Sequence, residues 1–201
     1  MQINIRTNFP DVAKALGDVQ DKLASQVLAR SLNRTIEQAR TEMSRQIRAE
    51  FNLSAAKVGE KLRIKRATFT KGQFEMAAEL FSKNPDNRRG SINLINFSAR
   101  ETKAGLTFKI KKRGGRGKIG PGFIGNKGQT AFIRTGEQKR VMTRGVNAGK
   151  LREPIRPLRT IDVPQMFNAR RINAAVLSAM QAKFPAIFER ELAYAMSRLN
   201  R

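Results

Sequence analysis

The ionisable residues of this chain leave room for little acid–base chemistry and much ionic contact. Its 201 residues include no histidine and no cysteine. That removes the commonest general base, thiolate nucleophiles and the usual zinc ligands. Sixteen carboxylates remain, against 40 lysines and arginines. Glu75 with Glu79, and Glu189 with Glu191, are candidate pairs for a hydrolase. Each pair falls in a patterned segment where a solvent-facing or salt-bridging role is the ordinary one. With no acidic cluster to hold magnesium, neither an enzyme nor a metal site is expected. Gly115, Gly117 and Gly120 repeat the spacing of a dinucleotide-binding turn. That turn works only where a strand feeds it and a helix starts on it. Here Pro121 and Gly122 follow at once, so the match is read as chance. No cofactor and no small-molecule substrate are expected.

The basic residues carry the better candidate. Lys109, Lys111, Lys112, Arg113, Arg116 and Lys118 sit beside a run of glycines, KKRGGRGKIGPGFIGNKG over residues 111–128. Such a segment reads as a long loop between strands, mobile until a partner orders it. Its cations can neutralise phosphates while the glycines let the backbone approach closely. Phe123 is its one aromatic residue, so stacking on exposed bases is poorly supplied. The plainer alternative is a solvated, flexible loop.

Charge distribution supports a working surface. The net charge is +24. Residues 1–53 contribute +2, residues 54–99 +5, residues 161–201 +3, and residues 100–160 alone +14, from 17 basic and three acidic groups. A surface that needed only solubility would mix its signs. A one-sided field points to a polyanion or an acidic protein surface. No apolar run of about 18 residues occurs, so neither a membrane span nor a signal peptide is expected. The absence of cysteine is compatible with a reducing cytoplasm and shows nothing more.

The elements that must position this surface follow from periodicity. Gln2–Arg6 alternates as a short half-buried strand. Pro10 and Asp11 signal a helix start. Val12, Leu16, Val19, Leu23, Val27, Leu32, Ile36, Ala39, Met43, Ile47 and Phe51 then recur every three to five residues, one apolar stripe on a helix reaching about residue 51. Unbroken, ~40 residues would run roughly 60 Å. Ser54 can cap a short helix from Ala55 to about Leu62. Gln73–Phe81, Ser91–Ser98, Leu106–Ile110, Thr130–Arg134 and Arg140–Thr143 read as strands, with turns at 84–90 and 102–105. QFEMAAELF also has helix-forming residues, but its alternation and its neighbours favour a strand. The run from Arg152 to Pro164 holds three prolines and should be extended. Pro164 leads a helical turn. Asn168 is placed to cap a last helix with a broad apolar face that includes Leu177, Tyr194 and Met196, and Pro185 should kink or split it. The fold class is therefore α+β: a long N-terminal amphipathic helix and a C-terminal helix packed on a mainly antiparallel sheet. The chain is expected to be one domain over residues 1–201, with segments 1–62, 63–163 and 164–201.

The order of these segments carries a resemblance. SLNRTIEQAR closes the first helical region and NLSAAKVGEKLRIKRATF follows. After the basic stretch come GQTAFIRTGEQKRVMTRG and REPIRPLRTIDVPQMF, then the terminal helix. Residues 130–167 are the most specific part, and nearly the whole chain resembles the minor tail protein Z family of tailed bacteriophages, the lambda-type tail completion proteins. The resemblance implies a virion structural protein, made in the host bacterial cytoplasm. It would finish the proximal end of the tail and join it to the head. Its partners would be the tail terminator or tail tube and the head connector, with a homo-oligomeric ring around the DNA channel and backbone contact with packaged DNA. It implies no catalytic residue. Interface duty is expected at Phe132, Ile133, Pro154, Ile155, Pro164, Met166 and Phe167, although Phe132, Ile133 and Ile155 would serve equally as core. Without the resemblance, the competing reading is a non-sequence-specific nucleic-acid-binding protein of ribosomal or nucleoid type.

Overall fold

Apolar residues recurring every three to five positions build one buried seam on helix α1, Asp21–Glu50, which at 1.5 Å per residue is about 45 Å long. Val27, Leu32, Ile36, Ala39, Met43 and Ile47 are all at most 1% exposed, as the periodicity predicts. Ser31 and Thr35 lie in the same seam, fully buried. Their hydroxyls donate to the carbonyls of Val27 and Ser31, both at 2.8 Å, so neither is left unsatisfied. The computed structural model describes residues 2–6, 21–68, 76–82, 91–145 and 147–199. The expected beginning of the helix before residue 21 and the turn at 84–90 lie outside them.

The chain divides into two compact units. The first comprises residues 1–47, 58–86 and 164–201. It holds most of α1, the antiparallel sheet β1-β3-β2 and the C-terminal helix. The strands are β1, Gln2–Arg6, β2, Leu62–Lys65, and β3, Ala77–Ser82. In register, Ile3 and Ile64 flank Leu80, and Leu62, Ala78 and Leu80 are buried on the shared face. Helix α1 is tied to the end of β2 through Asn33, whose side chain exchanges hydrogen bonds with both backbone groups of Ala67, at 3.0 and 2.8 Å. The short helix α2, Ala55–Gly59, is capped by Ser54, whose hydroxyl accepts from the Lys57 N–H at 3.4 Å. It stops before the expected Leu62, because Leu62 opens β2.

Helix α3, Val163–Phe167, carries Pro164 in its first turn, where a missing N–H costs nothing. Helix α4, Arg170–Leu199, follows. Asn168 stands one residue too early to cap it, since Ala169 precedes the first helical residue and accepts from the Asn173 N–H at 3.1 Å. Pro185 does not split the helix, although the Gln181 carbonyl loses its usual donor there. Ile172, Val176, Met180, Phe184, Ile187, Phe188 and Ala195 form its buried stripe. Leu177, Tyr194 and Met196, expected on that face, are 38%, 50% and 41% exposed. Helices α1 and α4 run antiparallel: Arg34 meets Glu191 at 2.8 Å, and eight residues on, Glu42 feels the charge of Lys183, eight residues back.

The second unit comprises residues 48–57 and 87–163, and its regular elements are mainly short strands joined by turns and loops. One sheet is β4-β5-β6: Arg100–Thr102, Gly105–Phe108 and Gly117–Ile119. Another is β11-β8-β7: β7 Gly122–Gly125, β8 Thr130–Arg134 and β11 Ile155–Pro157. A two-stranded ribbon pairs β9, Arg140–Val141, with β10, Leu151–Arg152. Phe97, Leu106 and Ala131 are fully buried. Strand β8 and the turn at 102–105 fall where the sequence places them. Ser91–Ser98 does not form the expected strand. Asn93 makes one isolated bridge to Arg159, and its side chain then caps a 3-10 turn at Leu94–Asn96 by accepting from the Ile95 N–H at 3.0 Å.

The long Gly-rich loop expected over 111–128 is the main correction. Strands β6 and β7 occupy seven of its eighteen residues, and three of its seven glycines, Gly117, Gly122 and Gly125, serve close packing. A side chain at Gly117 would lie 2.5 Å from the Phe108 ring. Gly105, opposite this turn, has φ of +111°, and a Cβ there would sit 2.4 Å from the carbonyls of Ile119 and Gly120.

Candidate partner-binding surface

The six predicted cations do not form one free loop. Residues 110–112 are stitched to 50–52 by two backbone hydrogen bonds of 2.8 Å, Asn52 N–H to Ile110 and Lys112 N–H to Glu50. Lys109 is half-buried in this pairing, and its N–H donates to the Phe97 carbonyl. Lys111 approaches Glu50 at 3.9 Å. Arg116 folds back to donate to the Ser98 carbonyl at 2.6 Å. Lys112, Arg113 and Lys118 are exposed, as are Lys111 and Arg116.

The basic surface is wider than that stretch. Of the 17 lysines and arginines between residues 100 and 160, all but Lys109 are exposed. Two of the three carboxylates in the same span are turned to backbone amides rather than to cations. Glu101 accepts from the Ile124 N–H at 3.2 Å, and Glu153 from the Gly136 N–H at 2.7 Å. Glu137 pairs with Arg140. The cations that the sequence reading passed over include Arg134, Arg140, Arg144, Lys150, Arg152 and Arg156. Arg140 and Arg152 lie far apart in sequence, and antiparallel pairing of β9 with β10 sets them opposite each other. The signal that could have found them is the near-symmetric placement of basic residues about the turn holding Gly145 and Gly149.

The seven predicted interface residues do not form one set. Met166 and Phe167 are fully buried in the chain itself. A side chain with no accessible surface cannot touch a partner, so both leave the set. Phe132 and Ile155 share a face of the β11-β8-β7 sheet with Phe123, Arg134 and Pro157, because residues directly across and two apart point the same way. The rings of Phe123 and Phe132 stack at 5.8 Å, and the Arg134 guanidinium lies 5.3 Å from the Phe123 ring centre. Both rings are half-buried, and Ile155 is 45% exposed. Ile133 points to the other face, with the buried Gly122. Pro154 and Pro164 are half-buried; the Pro154 carbonyl accepts from the Thr135 N–H at 3.0 Å.

The first unit offers a different surface. An open groove of about 470 Å³ is lined by Arg34, Glu37, Glu42, Lys183, Ile187 and Arg190. Its carboxylates are matched internally: Glu37 to Arg66 at 2.6 Å, and Glu42 to Arg45 at 2.8 Å. Hydrogen bonds from Arg45 and Gln46 hold the Glu42 carboxyl below its ordinary value, against burial, which pushes it up. This groove is an ion-paired seam of the fold. Among the described residues no group of three or more carboxylates is placed to hold a metal ion, and no helix is long and apolar enough to cross a membrane.

Comparison with known proteins agrees with the order of segments described above. The family described as prophage minor tail protein Z (GPZ) matches residues 11–201. No curated protein and no solved structure matches the chain. A match over all but the first ten residues, on a fold of two long helices and several antiparallel sheets, shows that the chain belongs to the prophage minor tail protein Z family, the structural proteins of a phage tail.

Proposed function

We propose that this minor tail protein is a tail completion protein, acting without catalysis at the head-proximal end of the tail and joining it to the head. It would assemble as a homo-oligomeric ring around the DNA channel and contact the tail terminator or tail tube on one side and the head connector on the other. The observation that carries this reading is the field of sixteen exposed cations between residues 100 and 160, with two of the three local carboxylates spent on amides. A field so poorly compensated is unfavourable in a free chain and is relieved when an anionic surface covers it. Lys111, Lys112, Arg113, Arg116 and Lys118 lie within this field, with Lys109 at its half-buried edge. The face bearing Phe132 and Ile155 supplies the apolar contact that a protein neighbour needs.

The test is removal of the chain from the phage that encodes it. Filled heads and finished tails should then accumulate unjoined in electron micrographs, and infectious particles should fall by orders of magnitude. Normally joined particles would overturn the proposal. Mass measurement of joined particles or of a purified neck should give several copies per particle; one copy would remove the ring.

A further inference from the structure

Among the described residues, the β9–β10 ribbon is a sheet of two strands only, with no third strand beside it. Its four strand residues, Arg140, Val141, Leu151 and Arg152, are all exposed. Val141 and Leu151, at 61% and 62%, are the most exposed of the large apolar side chains described. The ladder continues through the Met142 N–H, which donates to the Lys150 carbonyl at 3.0 Å. A lone two-stranded ribbon is marginal in water because it has no face to bury.

Pairing gives this ribbon two unlike faces. Val141 and Leu151 stand opposite each other on one, a cross-strand apolar pair that helps hold the strands together. Arg140 and Arg152 stand opposite each other on the other, where the next rung adds Lys150. Like charges directly opposite repel, so the ladder gains nothing from the arginine pair itself. From Lys139 to Arg152 there are five cations and no carboxylate. Of the flanking acids, Glu137 is held by Arg140, and Glu153 by a backbone amide.

We propose that this ribbon is a contact for the phosphate backbone of duplex DNA. The proposal deepens the reading of the chain as a junction protein around DNA, and names the element that meets it. A protein partner needs a buried apolar anchor within the charged contact. The cationic face has no large exposed apolar side chain, since Met142 is half-buried. A polyanion needs no such anchor, because binding is driven by release of its counterions. The shape also fits: a pair of strands about 5 Å apart enters a major groove about 12 Å wide. At the return, Gly145 and Gly149 have nothing within 4 Å of where a side chain would project, so nothing there blocks close approach of a strand of DNA. The amides of Ala148, Gly149 and Lys150 are already bonded within the turn, which leaves the phosphate contacts to the cationic side chains.

The test uses the purified full-length chain and a fluorescent duplex of about 30 base pairs, with affinity measured across salt concentrations. Arg140→Gln, Arg144→Gln, Lys150→Gln and Arg152→Gln together should make the slope of log K against log salt shallower by about 3 to 4, and weaken binding by about tenfold or more at moderate salt. Lys111→Gln, Lys112→Gln and Arg113→Gln together should change the slope less. An unchanged slope in the ribbon variant, with native circular dichroism, overturns the proposal. So does loss of binding in Val141→Ser with Leu151→Ser while the charge variant binds normally. Particle joining in phage carrying the ribbon variant separates the two readings. A shallower slope with normal joining keeps the DNA contact and counts against its part in the junction. An unchanged slope with failed joining removes the DNA contact alone.

Discussion

The two units use charge in opposite ways. In the first, carboxylates are drawn inward and answered. Glu191, 4% exposed, meets Arg34, and Glu42, 8% exposed, receives Arg45 and Gln46. In the second, Glu101 and Glu153 satisfy backbone amides, and the surrounding cations are left to solvent. The apolar residues differ in the same sense. Seams at helical spacing are buried in the first unit, where Leu177, Tyr194 and Met196 are 38–50% exposed. In the second, Val141, Leu151 and Ile155 face outward from strands, Val141 and Leu151 more fully at 61% and 62%. Charge compensated inside a unit stabilises that unit. Charge left uncompensated on strands is available to a partner.

The largest effect that would test this contrast is on packing. Phe167→Ala removes a fully buried ring from the first unit and should cost about 3–5 kcal/mol in chemical denaturation. Phe132→Ala removes a half-buried ring that stacks on Phe123, and should cost roughly 1–2 kcal/mol. Equal costs would show that the Phe132 face is core rather than contact surface.

A smaller, asymmetric effect is expected at the Arg34–Glu191 pair. The Arg34 side chain is 57% exposed, so after Glu191→Gln it can rehydrate, and the loss should be about 1 kcal/mol or less. Arg34→Ala instead leaves a buried carboxylate without its cation and should cost about 2–3 kcal/mol. Equal losses from the two changes would mean that burial of Glu191 is not what matters.

The smallest effect is the pH dependence at Glu42. Its folded-state value lies below the ordinary 4.5, so the folded protein holds this proton less tightly than the unfolded chain. The stability it contributes is present above about pH 5 and is lost as pH falls through the folded value. Glu42→Gln should therefore flatten the acid limb of the stability curve and leave its slope near neutrality unchanged. An unaltered acid limb would show that Arg45 and Gln46 do not hold the carboxylate in solution.

Much of the first unit was legible because its seams obey a local rule. Val27, Leu32, Ile36, Ala39, Met43 and Ile47 are buried wherever a helix forms with that spacing. Strand β8 was legible for the same kind of reason, a β-rich run between turn residues. Asn93 was not, since a strand-like stretch became a 3-10 turn through one side chain accepting from the amide two residues on. The glycines of residues 111–128 misled because glycine marks both mobile loops and close packing. Only the position of the Phe108 ring, 2.5 Å from where a Gly117 side chain would begin, tells the two apart.

The sequence by itself determined the helical seams, the absence of thiol and imidazole chemistry, the concentration of charge between residues 100 and 160, and the resemblance that the family match upheld. These depend on composition and on spacing along one element, which survive without knowledge of what lies across space. Only the tertiary structure decided which cations stand free and which apolar residues face out. It bent Arg116 back onto a carbonyl, closed Met166 and Phe167 into the core, and set Arg140 against Arg152. Strand pairing joins residues from distant parts of the chain, and a shift of one residue in register would turn a strand's side chains, Arg140 or Arg152 among them, to the other face.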